Sequence, residues 1–133
     1  SSSSCVAVGD FYESSGIDKT LAEAWNGSSW SVVSSPNPAE ASEGSVLLSV
    51  SCLSASSCFA VGDYSHELFT PKTLAETWNG TAWTIQTTPN PSGANSSILT
   101  STSCTSSISC AAVGSASPGP AGETAVTQAQ HYE

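Results

Sequence analysis

The chain has 133 residues, with eleven acids against two bases, Lys19 and Lys72, no arginine and a net charge of −9. Nucleic-acid affinity rests on Lys and Arg neutralising phosphates, so this balance argues against nucleic acid, and against an anionic membrane surface, as partners. No apolar run approaches the ~18 residues that a spanning helix needs, so membrane insertion is not expected. The polar residues are chiefly 29 Ser and 13 Thr, yet four Trp, three Tyr and three Phe recur at ordered spacings that disordered chains lack.

The first predicted element is Cys5-Val-Ala-Val-Gly-Asp10, a short strand, followed by Lys19-Thr-Leu-Ala-Glu-Ala-Trp25, Asn26-Gly27, Trp30 and the exit Ser35-Pro-Asn-Pro38. The same series then returns. Val46–Cys52 reads as a strand, and Cys58-Phe-Ala-Val-Gly-Asp63, extended to Tyr64, repeats the opening motif. Thr73–Trp78, the turn Asn79-Gly80, the strand 82–88 around Trp83, and Pro89-Asn-Pro91 repeat the rest. A third copy begins with Ser96–Cys104 and Cys110-Ala-Ala-Val-Gly-Ser115, and ends with Thr127–Tyr132, where Tyr132 stands in the place of Trp78. The period is 53 and then 52 residues, and half of the aligned positions between 5–38 and 58–91 are identical. Self-similarity at this spacing is the mark of a repeat architecture. Asn-Gly is read as a tight type I′ hairpin, whose two central residues need positive φ. Pro-Asn-Pro is read as the exit, because proline cannot donate to a ladder.

Each period therefore predicts four short strands, and no stretch carries a capped apolar 3.6 period. In Thr73–Trp78, Leu74, Glu76 and Trp78 share one face while Thr73, Ala75 and Thr77 share the other. A sheet with one bulky and one small face suits stacking on neighbours at both sides. The expected fold is all-β, a β-propeller-type array of four-stranded antiparallel blades. One array spans 1–133, with a partial blade over 1–45, a complete blade over 46–95 and a partial blade over 96–133, about two and a half in all. Propellers close with four to eight blades, so the chain is expected to be a segment of a longer repeat protein or to be completed by other copies.

Five cysteines stand at 5, 52, 58, 104 and 110. Cys52 with Cys58, and Cys104 with Cys110, bracket a strand–strand turn at a spacing that lets an antiparallel hairpin bring two Cβ atoms within bridging distance. Closing a loop of this size stabilises by about 2–2.5 kcal/mol on the chain-entropy model. A four-cysteine metal site ranks below this, because structural zinc prefers Cys-x2-Cys knuckles and the pairs lie a full period apart. Disulfides imply an oxidising compartment, hence an extracellular, secreted or cell-surface protein. The repeat counterpart of Cys5 would precede Ser1, which leaves Cys5 odd among the five and a candidate for an intermolecular bridge.

The run Ala60-Val-Gly-Asp63, Thr73-Leu-Ala-Glu-Thr-Trp78-Asn79, Trp83 and Pro89-Asn-Pro91 resembles the kelch-type blade. With Gly62-Asp63 for Gly-Gly, Trp-Asn for Tyr-Asp and the added cysteine clamp, it is more similar to the cysteine-clamped, kelch-like repeats of secreted bacterial proteins. That resemblance implies an extracellular propeller and leaves the ligand open.

The candidate ligand-facing residues each have a structural alternative. Asp10 and Asp63, matched by Ser115, are either carboxylates around a propeller mouth or, the favoured reading, Asx turns closing a strand. Glu23 and Glu76, with Gln130 third, are either buried catalytic carboxylates or, the favoured reading, groups that accept hydrogen bonds from backbone or pair with Lys19 and Lys72. Trp25 with Trp30, and Trp78 with Trp83, are either a sugar-stacking platform or inter-blade packing, again the second. His66 and His131 do not match in the repeat, and no cofactor or metal site is expected. Asn26, Asn79 and Asn95 begin glycosylation sequons, the first two as by-products of the turns. No nucleophile elbow, phosphate loop or calcium loop is present. The function expected is a non-catalytic extracellular scaffold, with a glycan-binding propeller and an accessory part of a secreted hydrolase as alternatives. Expected partners are other copies, the remainder of a longer repeat chain, or glycans.

Overall fold

A computed structural model describes residues 3–67, 70–118 and 126–132, the stretch 126–131 as backbone only. Ten strands form among them: β1 (Cys5–Tyr12), β2 (Asp18–Trp25), β3 (Trp30–Val33), β4 (Gly44–Ser54), β5 (Ser57–His66), β6 (Thr70–Trp78), β7 (Trp83–Gln86), β8 (Ser96–Ser106), β9 (Ser109–Ser117) and β10 (Val126–Tyr132). They make three antiparallel sheets in the orders β1-β2-β3, β4-β5-β6-β7 and β10-β9-β8. The repeat register is visible in the ladders. Trp25 lies opposite Cys5, Trp78 opposite Cys58 and Tyr132 opposite Cys110.

The β4–β5 and β8–β9 hairpins are clamped near their tips by the disulfides Cys52–Cys58 and Cys104–Cys110. Neither bond involves Cys5, which sits exposed at the first residue of β1. The Asn-Gly connections differ from a type I′ turn. Only the glycines have positive φ, 98° at Gly27 and 95° at Gly80. Asn79 acts instead through its side chain, whose Oδ1 accepts from the N–H groups of Thr81 and Ala82, each at 2.9 Å. Asn26 does the same for Ser28 and Ser29. The asparagine carbonyl thus satisfies two turn donors, and its backbone can keep an ordinary conformation.

The Pro-Asn-Pro exits do more than stop a strand. Asn90 Oδ1 accepts from the backbone N–H of Thr73 at 3.1 Å and from its hydroxyl at 3.2 Å, and Asn37 Oδ1 accepts from Thr20 N–H at 3.0 Å. Each exit is thereby tied to its own third strand. The first strands of the second and third sheets carry a bulge, between Leu47 and Ser49 and between Leu99 and Ser101. Gly62 and Gly114 face these bulges so closely that a Cβ would collide with the Val46 and Ile98 carbonyl oxygens. Glycine within a strand commonly marks such an approach.

Two cores hold the sheets together, one at each junction. Ala22, Leu47, Ala60, Leu74 and Trp83, with Val6, Val8 and Val33 against them, fill the space between the first and second sheets. Phe59, Val61, Ala75, Leu99 and Ala112, with Tyr132, fill that between the second and third. Phe59 and Tyr132 meet at 4.6 Å between ring centroids. Leu47, Leu74 and Leu99 are fully buried, and each contributes about 1.5–3 kcal/mol of apolar transfer.

Candidate interaction surface

Alternation along β5 and β6 sends one set of side chains to each neighbour. Cys58, Ala60 and Leu74 meet the first sheet, and Phe59, Val61 and Ala75 meet the third. The second sheet is therefore covered on both faces, and the outer sheets on one face each. Matched residues show the consequence. Trp83 is 6% exposed but its counterpart Trp30 is 48% exposed, and Val61 is 0% exposed against 44% for Val113. The first sheet thus presents Trp30 outward at one end of the stack, and the third sheet presents Val113 at the other.

The four tryptophans pack in two similar pairs, Trp25–Trp30 and Trp78–Trp83, both with centroids 5.7 Å apart. Trp83 belongs to the core, and the Trp78 indole N–H donates to the Ala55 carbonyl at 3.0 Å. Trp25 is half-buried.

Glu76 is fully buried at the junction of the first two sheets, and the Ser35 hydroxyl donates to its Oε2 at 2.8 Å. Its Oε1 has no partner among the described residues. Burial pushes its pKa from 4.5 to about 7, against the opposing pull of the Ser35 hydrogen bond. Of the two expected partners neither is seen among the described residues: the donor to Glu76 is a side-chain hydroxyl and not backbone, and Lys72 makes no ion pair with it. Among the described residues the ion-pair contact is His66 with Glu67, at 3.8 Å. Lys72 is exposed, roughly 13 Å along the strand from the buried Glu76. Glu23, the counterpart in the first sheet, is half-buried.

The aspartates also depart from expectation. β1 runs to Tyr12 and β5 to His66, so Asp10 and Asp63 lie within strands, opposite Thr20 and Thr73, and close no Asx turn. Asp10 is exposed, while Asp63 is half-buried and burial raises its pKa from 3.8 to about 6. His66 meets the Ser42 hydroxyl at 3.4 Å. The side chains of Gln130 and His131 lie outside the described residues. Among those described, no group of three or more His, Cys, Asp and Glu is placed to hold a metal ion.

Polar rungs join the neighbouring first strands. Ser49 Oγ accepts from Thr102 N–H and Ser51 Oγ from Cys104 N–H, both at 3.1 Å. These serines recur as Ser101 and Ser103 in β8. The repeat signalled their presence but not their role, because a side-chain bond to another sheet's backbone leaves no local pattern.

No protein-family model, curated protein or solved structure matches this chain. Its class rests on the fold, an all-β repeat array of three stacked antiparallel sheets clamped by two disulfides of a kind typical of oxidising compartments.

Proposed function

We propose that the chain is a run of blades from an extracellular, kelch-like β-propeller that serves as a non-catalytic structural and interaction scaffold. The observation that carries this reading is the contrast between inner and outer copies of the same surface. Trp30 and Val113 are 48% and 44% exposed where Trp83 and Val61 are 6% and 0%. Residues that form a core wherever a neighbour is present mark the outer faces as surfaces for further blades. Those blades come from other copies or from the remainder of a longer repeat chain. Head-to-tail contacts of this type are heterologous and propagate until they close a ring. The two disulfides support an extracellular setting.

Light scattering on the non-reduced protein across a concentration series tests the reading. A mass rising in whole multiples of 13.4 kDa is expected. A compact monomer at every concentration would overturn completion by other copies. Specific binders on a glycan array, competing at Trp30, would replace the scaffold by a lectin.

A further inference from the structure

We propose that the junction of the first and second sheets holds a binding site for a short neutral saccharide, in a groove walled by Glu40, Tyr64 and Gln86. Both walls belong to described parts of this chain, so the site goes beyond the scaffold reading and does not rest on it.

Two cavities of about 300 and 220 Å³ adjoin there, with Glu40 and Tyr64 lining both. Leu74, Ile85, Gln86 and Asn90 also line the larger, and His66 and Lys72 the smaller. Glu40 sits in the linker between β3 and β4, which backbone bonds hold in place. Ala41 N–H donates to the Pro38 carbonyl at 3.0 Å, and Glu43 N–H to the Ser65 carbonyl at 3.1 Å. The Tyr64 hydroxyl donates to Glu40 Oε2 at 3.4 Å. The wall is therefore formed before a ligand arrives, which lowers the cost of binding.

The other junction shows that the fold does not require these side chains. Its linker repeats both backbone bonds, Ala94 N–H to the Pro91 carbonyl at 3.1 Å and Asn95 N–H to the Ser117 carbonyl at 2.9 Å. Yet Gly93 stands there for Glu40, and Ala116, 2% exposed, for Tyr64. Val33 likewise stands for Gln86 in the first sheet. The same backbone thus forms without a carboxylate, a phenol or an amide at these places. Their meeting at one junction points to a role outside folding.

The lining defines the ligand's chemistry. Gln86 Nε2 donates to Thr77 Oγ1 at 2.9 Å, and Asn90 Oδ1 accepts from Thr73 N–H at 3.1 Å. That leaves the Gln86 carbonyl as an acceptor and the Asn90 amide N–H as a donor. Glu40 adds its second carboxylate oxygen and Lys72 its ammonium. Donors and acceptors set around the half-buried Tyr64 and the apolar Leu74 and Ile85 suit a sugar, whose hydroxyls lie at the rim of an apolar C–H face. Glu40 beside Lys72, in a chain of net charge −9, disfavours an anionic one.

An array of neutral and sialylated glycans, probed with the protein displayed in many copies on fluorescent beads, should give neutral binders. The strongest of them, as a free oligosaccharide, is then titrated by NMR. Amide shifts are expected at Glu40, Tyr64 and Gln86, with an affinity that added salt leaves unchanged. E40A and Q86V should each weaken binding by about fivefold or more, with the urea midpoint little changed, and W30A should bind as the parent does. An array without neutral binders, E40A and Q86V binding as tightly as the parent, or loss of binding in W30A would each overturn the proposal. A compact monomer that binds the glycan would end completion by other copies and leave this site standing.

Discussion

Replacing Glu76 by Gln should flatten the pH dependence of stability at the first sheet junction. The carboxyl is fully buried, takes one hydrogen bond from Ser35 and has its pKa raised by burial from 4.5 to about 7. The folded state therefore holds a proton that the unfolded chain has released. Stability from this group is complete below pH 4.5 and is lost as the pH rises through 7. A shift of this size corresponds to about 3 kcal/mol, most of which falls between pH 5 and pH 8. The amide of E76Q retains a carbonyl for Ser35 but puts its NH2 where Oε1 finds no partner, a fixed cost of about 1–3 kcal/mol. That cost is the same at both pH values, so the readout is the change in ΔΔG. Urea unfolding followed by tryptophan fluorescence at pH 5 and pH 8 should show E76Q gaining about 2–3 kcal/mol relative to the parent at the higher pH. An equal ΔΔG at both would refute the burial argument. Asp63, raised to about 6, leaves a residual slope from about pH 4 to 6 that E76Q does not remove.

Gly62 and Gly9 should respond in opposite ways to Ala. G62A drives a Cβ into the Val46 carbonyl and should cost at least about 1–3 kcal/mol, while G9A should be neutral or stabilise by up to about 1 kcal/mol, both read from urea midpoints. N90A strips the acceptor from the backbone N–H of the buried Thr73, whose hydroxyl keeps Thr88 Oγ1 at 2.7 Å, and should cost about 1–3 kcal/mol, checked by thermal unfolding. W83A should cost about 3–5 kcal/mol through loss of the junction core. W30A should shift unfolding by well under half of that and weaken self-association, measured by light scattering across a dilution series.

Much of the fold was legible because the repeat prints its phase twice. The Cys-x5-Cys hairpins, the strands around Trp78 and Trp83, and the bulky and small faces of Thr73–Trp78 all follow from side-chain alternation and turn chemistry. The third sheet could be placed because Tyr132 keeps the register of Trp78. Other features were hidden for physical reasons. Asn79 holds its turn with a side chain, which the dipeptide Asn-Gly does not distinguish from a positive-φ backbone. Gly62 is required by a bulge in a strand some fifteen residues earlier, so its own neighbourhood reads as plain strand. Asp63 looked like a strand terminator because aspartate favours turns, but cross-strand pairing with Val46 and Thr73 carries β5 past it. Glu76 was placed correctly on a face, yet its partner, Ser35, lies 41 residues away in the exit that follows β3.

The most direct test of the scaffold reading is electron microscopy of the associated protein. Class averages should show a closed ring of radially arranged sheets, with Trp30 of one copy covered by the third sheet of the next. A linear stack or an irregular aggregate would contradict it, and a field of isolated monomers would contradict completion by other copies.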